Sequence, residues 1–402
     1  MKVKYLLLNI IIWLCALSLQ SQTIQIVESV PVETVMEQSA LPSAKDVWVE
    51  MFSSAKQTID IEVFYFTNVT GEPMEKVMNA IKDAAERGVK VRIIVDNNFY
   101  IKGEKSVDEL ENISGIEIRK IPFNKIGGGV MHAKYFIIDG NEIFIGSQNF
   151  DWRALKHVHE IGVRVKSEKL ASDFGKIFDM DWQLAQNPDK ELLASMVKSL
   201  IPEVTKSKAV SLSDSKYGDV KLYAGFSPFD ATPEAFVKEE NELLNMIVDA
   251  KDSICIQVMN YSLRNKFYDI DNELRAAAAR GVKIKIIFAD WTMKKSTEED
   301  IKSLSQVKNI EVKISTIPEF SGGYIPYARV DHSKYMVADN NKSMVSTSNW
   351  EKGYFYDTRD AALFITSENI NKTLNEVFTR IWNSKLVEYV DINKRYEQIK
   401  RD

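Results

Sequence analysis

The stretch Met131–Phe150 reads MHAKYFIIDGNEIFIGSQNF, and Asp331–Trp350 reads DHSKYMVADNNKSMVSTSNW. Both contain the pattern H-x-K-x4-D-x6-[GS]-[ST]-x-N, and each matched residue stands 200 positions from its counterpart. One H-x-K is a weak signal, but two copies in one register indicate a duplication whose halves build one site. The matched residues are His132, Lys134, Asp139, Ser147 and Asn149 in the first copy, and His332, Lys334, Asp339, Thr347 and Asn349 in the second.

The residue types suit chemistry at a phosphodiester. In each copy a short strand points His and Lys to the same side, and a tight turn leads to a second strand that ends at Asn. Two such halves face to face supply two imidazoles and four donors for an oxyanion. One His can attack phosphorus, the other can protonate the leaving oxygen, and Lys and Asn can hold the charge. The alternative, a buried core His beside a solvated Lys, fits a single copy better than a matched pair.

The duplication extends beyond the motifs and predicts the fold class. Ala55–Phe66 (AKQTIDIEVFYF) parallels Ala250–Tyr261 (AKDSICIQVMNY), and Ala85–Asp96 (AERGVKVRIIVD) parallels Ala278–Asp290 (AARGVKIKIIFAD). In the second pair a glycine ends a helix just before a buried strand. We therefore expect an α/β protein with two pseudo-symmetric lobes, each a mostly parallel mixed sheet flanked by helices, sharing one active site at their interface. The predicted organisation is a signal peptide at 1–22, a first lobe at 23–201, a linker at 202–217 and a second lobe at 218–402.

The N-terminus is typical of a secretory signal peptide. Lys2 and Lys4 precede an apolar run from Tyr5 to Leu19 and then small and polar residues, which predicts a secreted or periplasmic protein; an uncleaved anchor is the second interpretation. Losing both lysines changes the formal charge from −5 to −7. Proteins that coat nucleic acid non-specifically are basic, so this charge does not fit that class, but it is compatible with an enzyme whose cleft is locally positive. Cys255 would then be the one remaining cysteine, which excludes an intramolecular disulfide and a cysteine metal site.

The paired motifs resemble the HKD motifs of the phospholipase D superfamily. Further runs are similar to the animal endolysosomal 5′ exonuclease branch, and the similarity extends from about Gln25 to Lys385. Ser346 departs from the family, which usually has Gly there, and the cysteines of the animal proteins are missing. The runs that carry the branch-level resemblance are Val27–Pro31 (VESVP), Gln148–Gly162 (QNFDWRALKHVHEIG), Val258–Tyr261 (VMNY), Ile325–Val337 (IPYARVDHSKYMV) and Thr347–Trp350 (TSNW).

The resemblance implies catalysis through a phosphohistidine, with no metal or other cofactor. His132 is the first choice for the nucleophile and His332 for the acid/base, and the reverse assignment stays open. The remaining motif residues are predicted as phosphate ligands (Lys134, Lys334, Asn149 and Asn349), as phosphate-site residues that position this cluster (Ser147 and Thr347) and as turn carboxylates that support the motif (Asp139 and Asp339).

Glu160 and Asp360 form another pair 200 positions apart, each at the start of a predicted strand. A carboxylate there can accept a hydrogen bond from imidazole Nδ1–H and so fix the tautomer, whereas the alternative is an ordinary surface acid. His157 and His159 stand beside Glu160. Because no third ligand is evident, we interpret them as surface or supporting histidines rather than as metal ligands.

The sequence leaves three functional hypotheses. By resemblance, the first is a secreted enzyme that cuts single-stranded nucleic acid from its 5′ end. The second is a phospholipase D or phosphatidyltransferase acting on phospholipids. The third, a catalytically inactive binding or scaffold protein, is disfavoured because every motif position is retained.

Overall fold

The structure, a computed structural model, describes residues 23–102, 105–397 and 399. The predicted signal peptide lies outside these residues. Within them, no helix combines the length and apolar character needed to cross a membrane. The helices in chain order are α1 (Ala44–Ser54), α2 (Pro73–Glu86), α3 (Asn97–Ile101), α4 (Glu168–Gln186), α5 (Lys190–Ser199), α6 (Glu239–Asp249), α7 (Asp269–Arg280), α8 (Glu298–Ser305), α9 (Lys352–Tyr356) and α10 (Glu368–Trp382).

The strands build one large sheet in each half of the chain. In chain order they are β1 (Ile24–Ser29), β2 (Thr58–Val63), β3 (Phe66–Thr67), β4 (Lys90–Asp96), β5 (Ile116–Ile121), β6 (Lys134–Ile138), β7 (Glu142–Gly146), β8 (Phe150–Asp151), β9 (Glu160–Lys166), β10 (Val210–Asp214), β11 (Gly218–Ser227), β12 (Ser253–Val258), β13 (Lys283–Ala289), β14 (Ile310–Ser315), β15 (Lys334–Ala338), β16 (Lys342–Ser346), β17 (Asp360–Thr366) and β18 (Val387–Tyr389).

The two sheets correspond strand for strand over their central parts. The first has the order β1-β9-β7-β6-β2-β4-β5, and the second β10-β11-β17-β16-β15-β12-β13-β14-β18. The order β9-β7-β6-β2-β4-β5 thus matches β17-β16-β15-β12-β13-β14, with β6 and β15 carrying the two motifs. Gly88 (φ 93°) and Gly281 (φ 104°) follow α2 and α7 in the left-handed conformation, as predicted for helix-ending glycines.

Both sheets are mixed, as predicted, but they are less parallel than predicted. Among the described strands, parallel pairing within the two large sheets joins β2 to β4, β4 to β5, β12 to β13 and β13 to β14. The motif strands pair antiparallel with their neighbours on both sides. For the pairs β6–β7 and β15–β16 the reason is the short turn after each motif, at 139–141 and 339–341, because a parallel connection needs a crossover of a dozen or more residues.

Part of the predicted linker is a strand of the second sheet. Val210, Leu212 and Asp214 are buried, while Ser211 and Ser213 are exposed, and this segment pairs antiparallel with β11. Such alternation is the pattern of a half-buried strand. The serines give the segment a polar composition, and the period of two was missed for that reason.

The core is continuous from one half to the other, which fixes how the halves meet. Phe174 of α4 contacts Phe226 of β11, with ring centroids 5.1 Å apart. Within the first half, Trp48 packs edge-on against Phe136 and Phe144 of the motif hairpin. The motif strands are therefore held from behind by close-packed aromatic side chains.

Candidate active site

A cavity of about 500 Å³ lies between the halves, at the ends of the motif strands. His132 and His332, which stand two residues before the start of β6 and β15, both line it. Asn149 and Asn349, which follow β7 and β16, line it as well. The structure therefore brings together the histidines and carboxamides that the spacing predicted would meet.

Each histidine is held by a carboxylate from the opposite half. His132 Nδ1 lies 2.8 Å from Asp360 Oδ1, and His332 Nδ1 lies 2.5 Å from Glu160 Oε1. Both carboxylates are completely buried. Because an ionised carboxylate can only accept, Nδ1 carries the proton in each ring and Nε2 keeps its lone pair. Glu160 and Asp360 thus occupy the positions required of orienting residues, each acting on the other half's imidazole.

The main chain around each histidine is also hydrogen-bonded to the opposite half. The amide of His132 donates to the carbonyl of Arg359 at 2.9 Å, and the amide of His332 donates to the carbonyl of His159 at 2.8 Å. Short parallel bridges join Met131 to Arg359 and His159 to Asp331. Each catalytic candidate is consequently fixed by two successive residues of the opposite lobe.

The site keeps its imidazoles neutral when it is empty. Burial, followed by the charges of Lys134 and Lys334, lowers the pKa of His132 well below its usual value. Burial and the same two lysines also lower the pKa of His332. A neutral His132 can act as a nucleophile without first losing a proton. A bound phosphate would stabilise the protonated rings, because an opposite charge favours the cationic form.

The lysines lie behind the histidines rather than on the cavity wall. Lys134 Nζ donates to the carbonyl of His132 at 2.5 Å, and Lys334 Nζ donates to that of His332 at 2.8 Å. Burial lowers the pKa of Lys134 to about 7, although Asp360 and Glu160 oppose the shift. Each ammonium uses one proton in this bond and has two left for a phosphoryl oxygen, so the predicted role remains chemically available.

Burial shifts the pKa values of the two buried carboxylates upward, opposite to its effect on the histidines and lysines. Burial raises the pKa of Asp360 to about 7, while Lys134 opposes the shift. Burial also raises the pKa of Glu160 well above its usual value, with Lys334 and Lys134 opposing it. The protonation state of Asp360 consequently changes close to neutral pH.

Ser147 and Thr347 lie behind the carboxylates. Thr347 Oγ1 donates to Asp360 Oδ1 at 2.5 Å and accepts from the amide of Ala361 at 3.0 Å. Ser147 Oγ accepts from the amide of Ile161 at 3.2 Å. Both residues are completely buried, and neither lines the cavity. Their placement fits the predicted role of positioning the cluster. It does not fit the predicted phosphate contact, because their hydroxyls are hydrogen-bonded to backbone amides at the start of β9 and β17.

Asp139 and Asp339 are remote from the cavity and bind backbone amides. Asp139 Oδ1 accepts from the amides of Gln57 and Thr58 at 2.7 and 3.0 Å. Asp339 Oδ1 accepts from Asp252 and Ser253 at 2.8 and 3.1 Å. These contacts tie each motif turn to the start of β2 or β12, and they fit the predicted supporting role.

Sequence reasoning missed several residues at the cavity. Arg153 pairs with Asp151, with Nε 2.9 Å from both carboxylate oxygens, and its Nη1 donates to the carbonyl of Pro326 at 3.1 Å. The run DWR at 151–153, which begins two residues after Asn149, is the one sequence signal for this pair. The missed lining residues with polar or aromatic side chains are Phe64, Phe99, Lys102, Asp151, Arg153 and Trp291, and Tyr65, Tyr327 and Tyr354 also line the cavity.

His157 and His159 are expected from the sequence to be surface or supporting residues, and both are buried, which excludes the surface alternative. The apolar setting of the segment before β9 was not evident from its polar composition. In the part of the chain that the structure describes, no group of three or more His, Cys, Asp or Glu side chains is arranged to hold a metal ion.

Ser346, the departure from the family pattern, is accommodated by its surroundings. A Cβ at the matching Gly146 would lie 2.2 Å from Gln148 Oε1 and 2.6 Å from Gly162 Cα. In the second half the position of Gln148 is taken by the shorter Ser348. Both Ser346 Oγ and Ser348 Oγ donate to the buried carboxylate of Glu239. The second half thus replaces a tight glycine contact with a hydrogen-bonded hydroxyl pair.

Comparison with known proteins agrees with this geometry. Residues 48–182 and 243–382 each match the family described as cardiolipin synthase, PLD-like domain. The chain is 32% identical over 394 residues to the 5'-3' exonuclease PLD3 of Xenopus tropicalis, covering 89% of this chain and 79% of that protein. It is 30% identical over 383 residues to phospholipase D Z of Dictyostelium discoideum, covering 90% and 89%.

A solved structure shows the same fold at low sequence identity. Phosphatidylserine synthase of Haemophilus influenzae aligns with a TM-score of 0.65 over 86% of this chain and 85% of that chain, at 11% identity. The two family matches cover both motifs, and the similarity to the exonuclease extends over most of both proteins. The chain therefore belongs to the phospholipase D superfamily.

Proposed function

We propose that this phospholipase D-like phosphodiesterase is a secreted, metal-independent 5′ exonuclease that acts on single-stranded DNA or RNA through a phosphohistidine. The observation that carries the proposal is the pair of cavity histidines, each with Nδ1 on a buried carboxylate and Nε2 left for the substrate. Secretion rests on the signal-peptide prediction from the sequence.

The proposed reaction has two steps. His132 Nε2 forms a bond to phosphorus while the bond from phosphorus to the leaving oxygen breaks. His332, which takes up a proton at Nε2 when the anionic substrate binds, gives that proton to the leaving oxygen. Water then attacks the phosphohistidine, gives its proton to His332 and releases His132. Lys134, Lys334 and the two asparagines stabilise the equatorial oxygens in both steps.

The shape and chemistry of the cavity favour a nucleic-acid end over a long strand. A volume of about 500 Å³ suits a ligand of small-molecule size rather than a long groove. Tyr65 and Phe99 stack on one another with ring centroids 5.9 Å apart, and the rings of Trp291 and Tyr327 meet at 6.5 Å. Such rings can stack bases without regard to sequence. The similarity to a protein named as a 5'-3' exonuclease supports the same substrate.

The mechanism is tested by trapping the covalent intermediate. His332→Ala, given a labelled phosphodiester with a good leaving group, should accumulate phosphohistidine at His132, because breakdown of the adduct has lost its base. His132→Ala should give no adduct. Label on His332 would reverse the assignment, and label on neither residue would refute the covalent route.

The substrate is tested with oligonucleotides labelled at the 5′ or the 3′ end. We expect stepwise release of mononucleotides from the 5′ end of a single strand and a block at a duplex end. Internal cuts at early times would indicate an endonuclease instead.

Base stacking is tested with a matched pair of tyrosines. Tyr327 is 52% exposed and lines the cavity, whereas Tyr324 is 48% exposed and does not. Loss of one stacked base costs about 1–3 kcal/mol, so Tyr327→Ala should raise KM for oligonucleotides by roughly 5- to 150-fold. Tyr324→Ala should leave KM unchanged. Equal effects of the two substitutions would argue against a base subsite at Tyr327.

Phospholipid hydrolysis or transphosphatidylation is the second candidate, favoured by the similarity to a protein named phospholipase D Z. Phosphatidylcholine and cardiolipin should therefore be assayed beside the oligonucleotides with the same enzyme preparation. Turnover of the lipids without cutting of DNA or RNA would favour this candidate.

A further inference from the structure

His159 is a buried histidine to which the proposed reaction gives no part. It is completely inaccessible to solvent and directly precedes Glu160, whose side chain points the other way into the cavity. His159 Nδ1 lies 3.0 Å from Asp331 Oδ1, and its Nε2 lies 2.9 Å from Glu28 Oε1. The ring is thus clamped between two buried carboxylates, one from β1 and one from the residue before His332.

The two carboxylate contacts favour a proton on both ring nitrogens. Nδ1 also lies 3.0 Å from Ser333 Oγ and 3.3 Å from Gln257 Nε2, but Ser333 can donate to the carbonyl of His159 at 3.4 Å, and Gln257 Nε2 donates to Asp331 Oδ2 at 2.5 Å. Carboxylate oxygens can only accept, so a neutral ring would place one nitrogen lone pair against an oxygen lone pair. Two other charged groups face the cluster: Arg380 of α10 donates to Glu28 Oε1, and Lys334 interacts electrostatically with Asp331. The neutral Tyr335 hydroxyl reaches the cluster through Gln257. Protonated His159 and Arg380 balance Glu28 and Asp331, whereas a neutral His159 would leave a buried net negative charge, which is costly.

The matching residue of the other half is also a buried cation. Arg359 directly precedes Asp360 and pairs with Asp181, with Nε 2.6 Å from one carboxylate oxygen and Nη2 3.0 Å from the other. Arg359 and His159 make the same main-chain bonds to the opposite motif. An arginine side chain is positively charged at every accessible pH. The histidine side chain carries a positive charge only while both of its ring nitrogens are protonated.

We propose that His159 is a permanent imidazolium at neutral pH and is the positioning residue that fixes His332, as Arg359 fixes His132. The positioning has two routes. The carbonyl of His159 accepts the amide of His332, and its ring holds the side chain of Asp331, the neighbour of His332. The kinetic part of this proposal rests on the proposed function, because it takes His332 as the acid/base.

The protonation state is tested by NMR of ¹⁵N-histidine-labelled protein, which needs no substrate. The chain has four histidines, so the spectrum is small, and His132→Ala, His157→Gln and His332→Ala each remove one signal and identify the fourth as His159. That signal should keep imidazolium shifts from pH 5 to pH 8. Burial lowers the pKa of His159, but Asp331 and Glu28 outweigh it and raise the pKa to about 9. A neutral ring at pH 7 would overturn the proposal, whether or not the proposed function holds.

The link to His332 is tested with His159→Gln, which keeps a hydrogen-bonding side chain but loses the charge. The ring signals of His332 should shift more than those of His132. Turnover of oligonucleotides should fall about 10- to 100-fold, because the leaving oxygen of a nucleotide must be protonated by an acid. Formation of phosphohistidine from a substrate with a good leaving group does not need this proton, so its rate should change less than about threefold.

The control is His157→Gln, a buried neighbour that packs against Trp152 and Phe320 and contacts neither His332 nor Asp331 through its ring. Its kinetics and its His332 shifts should resemble the wild type. If His159→Gln slows both substrates equally, or if His332 and His132 shift alike, His159 acts on general stability and the positioning role is refuted. If His159→Gln does not fold, the wild-type titration alone decides the charge on which the role depends.

Discussion

Asp360 offers the sharpest test of the site, because its two contacts distinguish charge from geometry. Its Oδ1 accepts from His132 Nδ1 at 2.8 Å and from Thr347 Oγ1 at 2.5 Å. Asp360→Asn can keep the amide oxygen toward both donors, so the imidazole keeps its tautomer and loses only the negative charge. Asp360→Ala removes the acceptor and leaves a buried Nδ1–H without a partner.

The two substitutions should therefore differ in size. Exchanging a charge-assisted hydrogen bond for a neutral one costs about 1–2 kcal/mol, or roughly 5- to 30-fold in kcat. Removing the carboxylate that holds a catalytic imidazole costs on the order of 10⁴-fold in kcat in a known enzyme, and a loss of this order is expected for Asp360→Ala.

The pH dependence gives a second readout of the same residue. Because the pKa of Asp360 is raised to about 7, the wild-type carboxyl is itself neutral at lower pH and resembles Asn there. The ratio of wild-type to Asp360→Asn activity should therefore be small near pH 6 and should grow as the pH rises above 7.

The assay is kcat and KM on a short oligonucleotide from pH 5.5 to pH 9, with circular dichroism to verify folding. Asp357→Asn is the charge-matched control, since Asp357 is exposed and does not line the cavity. Equal loss in the Asn and Ala variants, or activity of both within threefold of the wild type, would refute the orienting role of Asp360.

Four further results are expected. KM should rise as the pH passes above about 7, because Lys134 then loses the charge that holds the phosphate; a KM that is constant from pH 6 to pH 9 would contradict this. Activity should survive exhaustive EDTA treatment, and a loss restored by Mg²⁺, Ca²⁺ or Zn²⁺ would point to a metal-dependent reaction. Asp139→Ala should reduce the free energy of unfolding in urea by about 1–3 kcal/mol through loss of its amide contacts, with kcat/KM of the folded enzyme nearly unchanged. Gly146→Ser should destabilise the fold by about 1–3 kcal/mol in the same urea assay, because its Cβ meets the backbone of Gly162, although the second half carries Ser at the matching position.

The sequence was sufficient where chemistry and spacing act locally. Two motifs in one register predicted the convergence of His132 and His332 on one cavity. The predicted superfamily is confirmed by the family match to both halves. A β-strand alternates its side chains with a fixed period, so a pattern within one strand already states which residues point together.

Several features depend on how the halves meet, which spacing within each half does not specify. Glu160 and Asp360 are predicted as a matched pair, but the crossing, in which each serves the other half's histidine, comes from the packing of the two sheets. The same holds for Arg153, Trp291 and Phe99, which are far apart in the sequence and reach one cavity. No local period relates such residues.

The clearest division between the two sources of information concerns His159. In the sequence it is one of two histidines beside Glu160, and the polar composition of this segment suggests a surface or supporting residue. Its two carboxylate partners come from β1 and from the residue before His332, hundreds of residues apart in the chain. The sequence by itself determined the reactive groups of this protein and their duplication. The tertiary structure alone decided which carboxylate, carbonyl and buried cation hold each group, because burial and hydrogen bonding depend on contacts between distant segments.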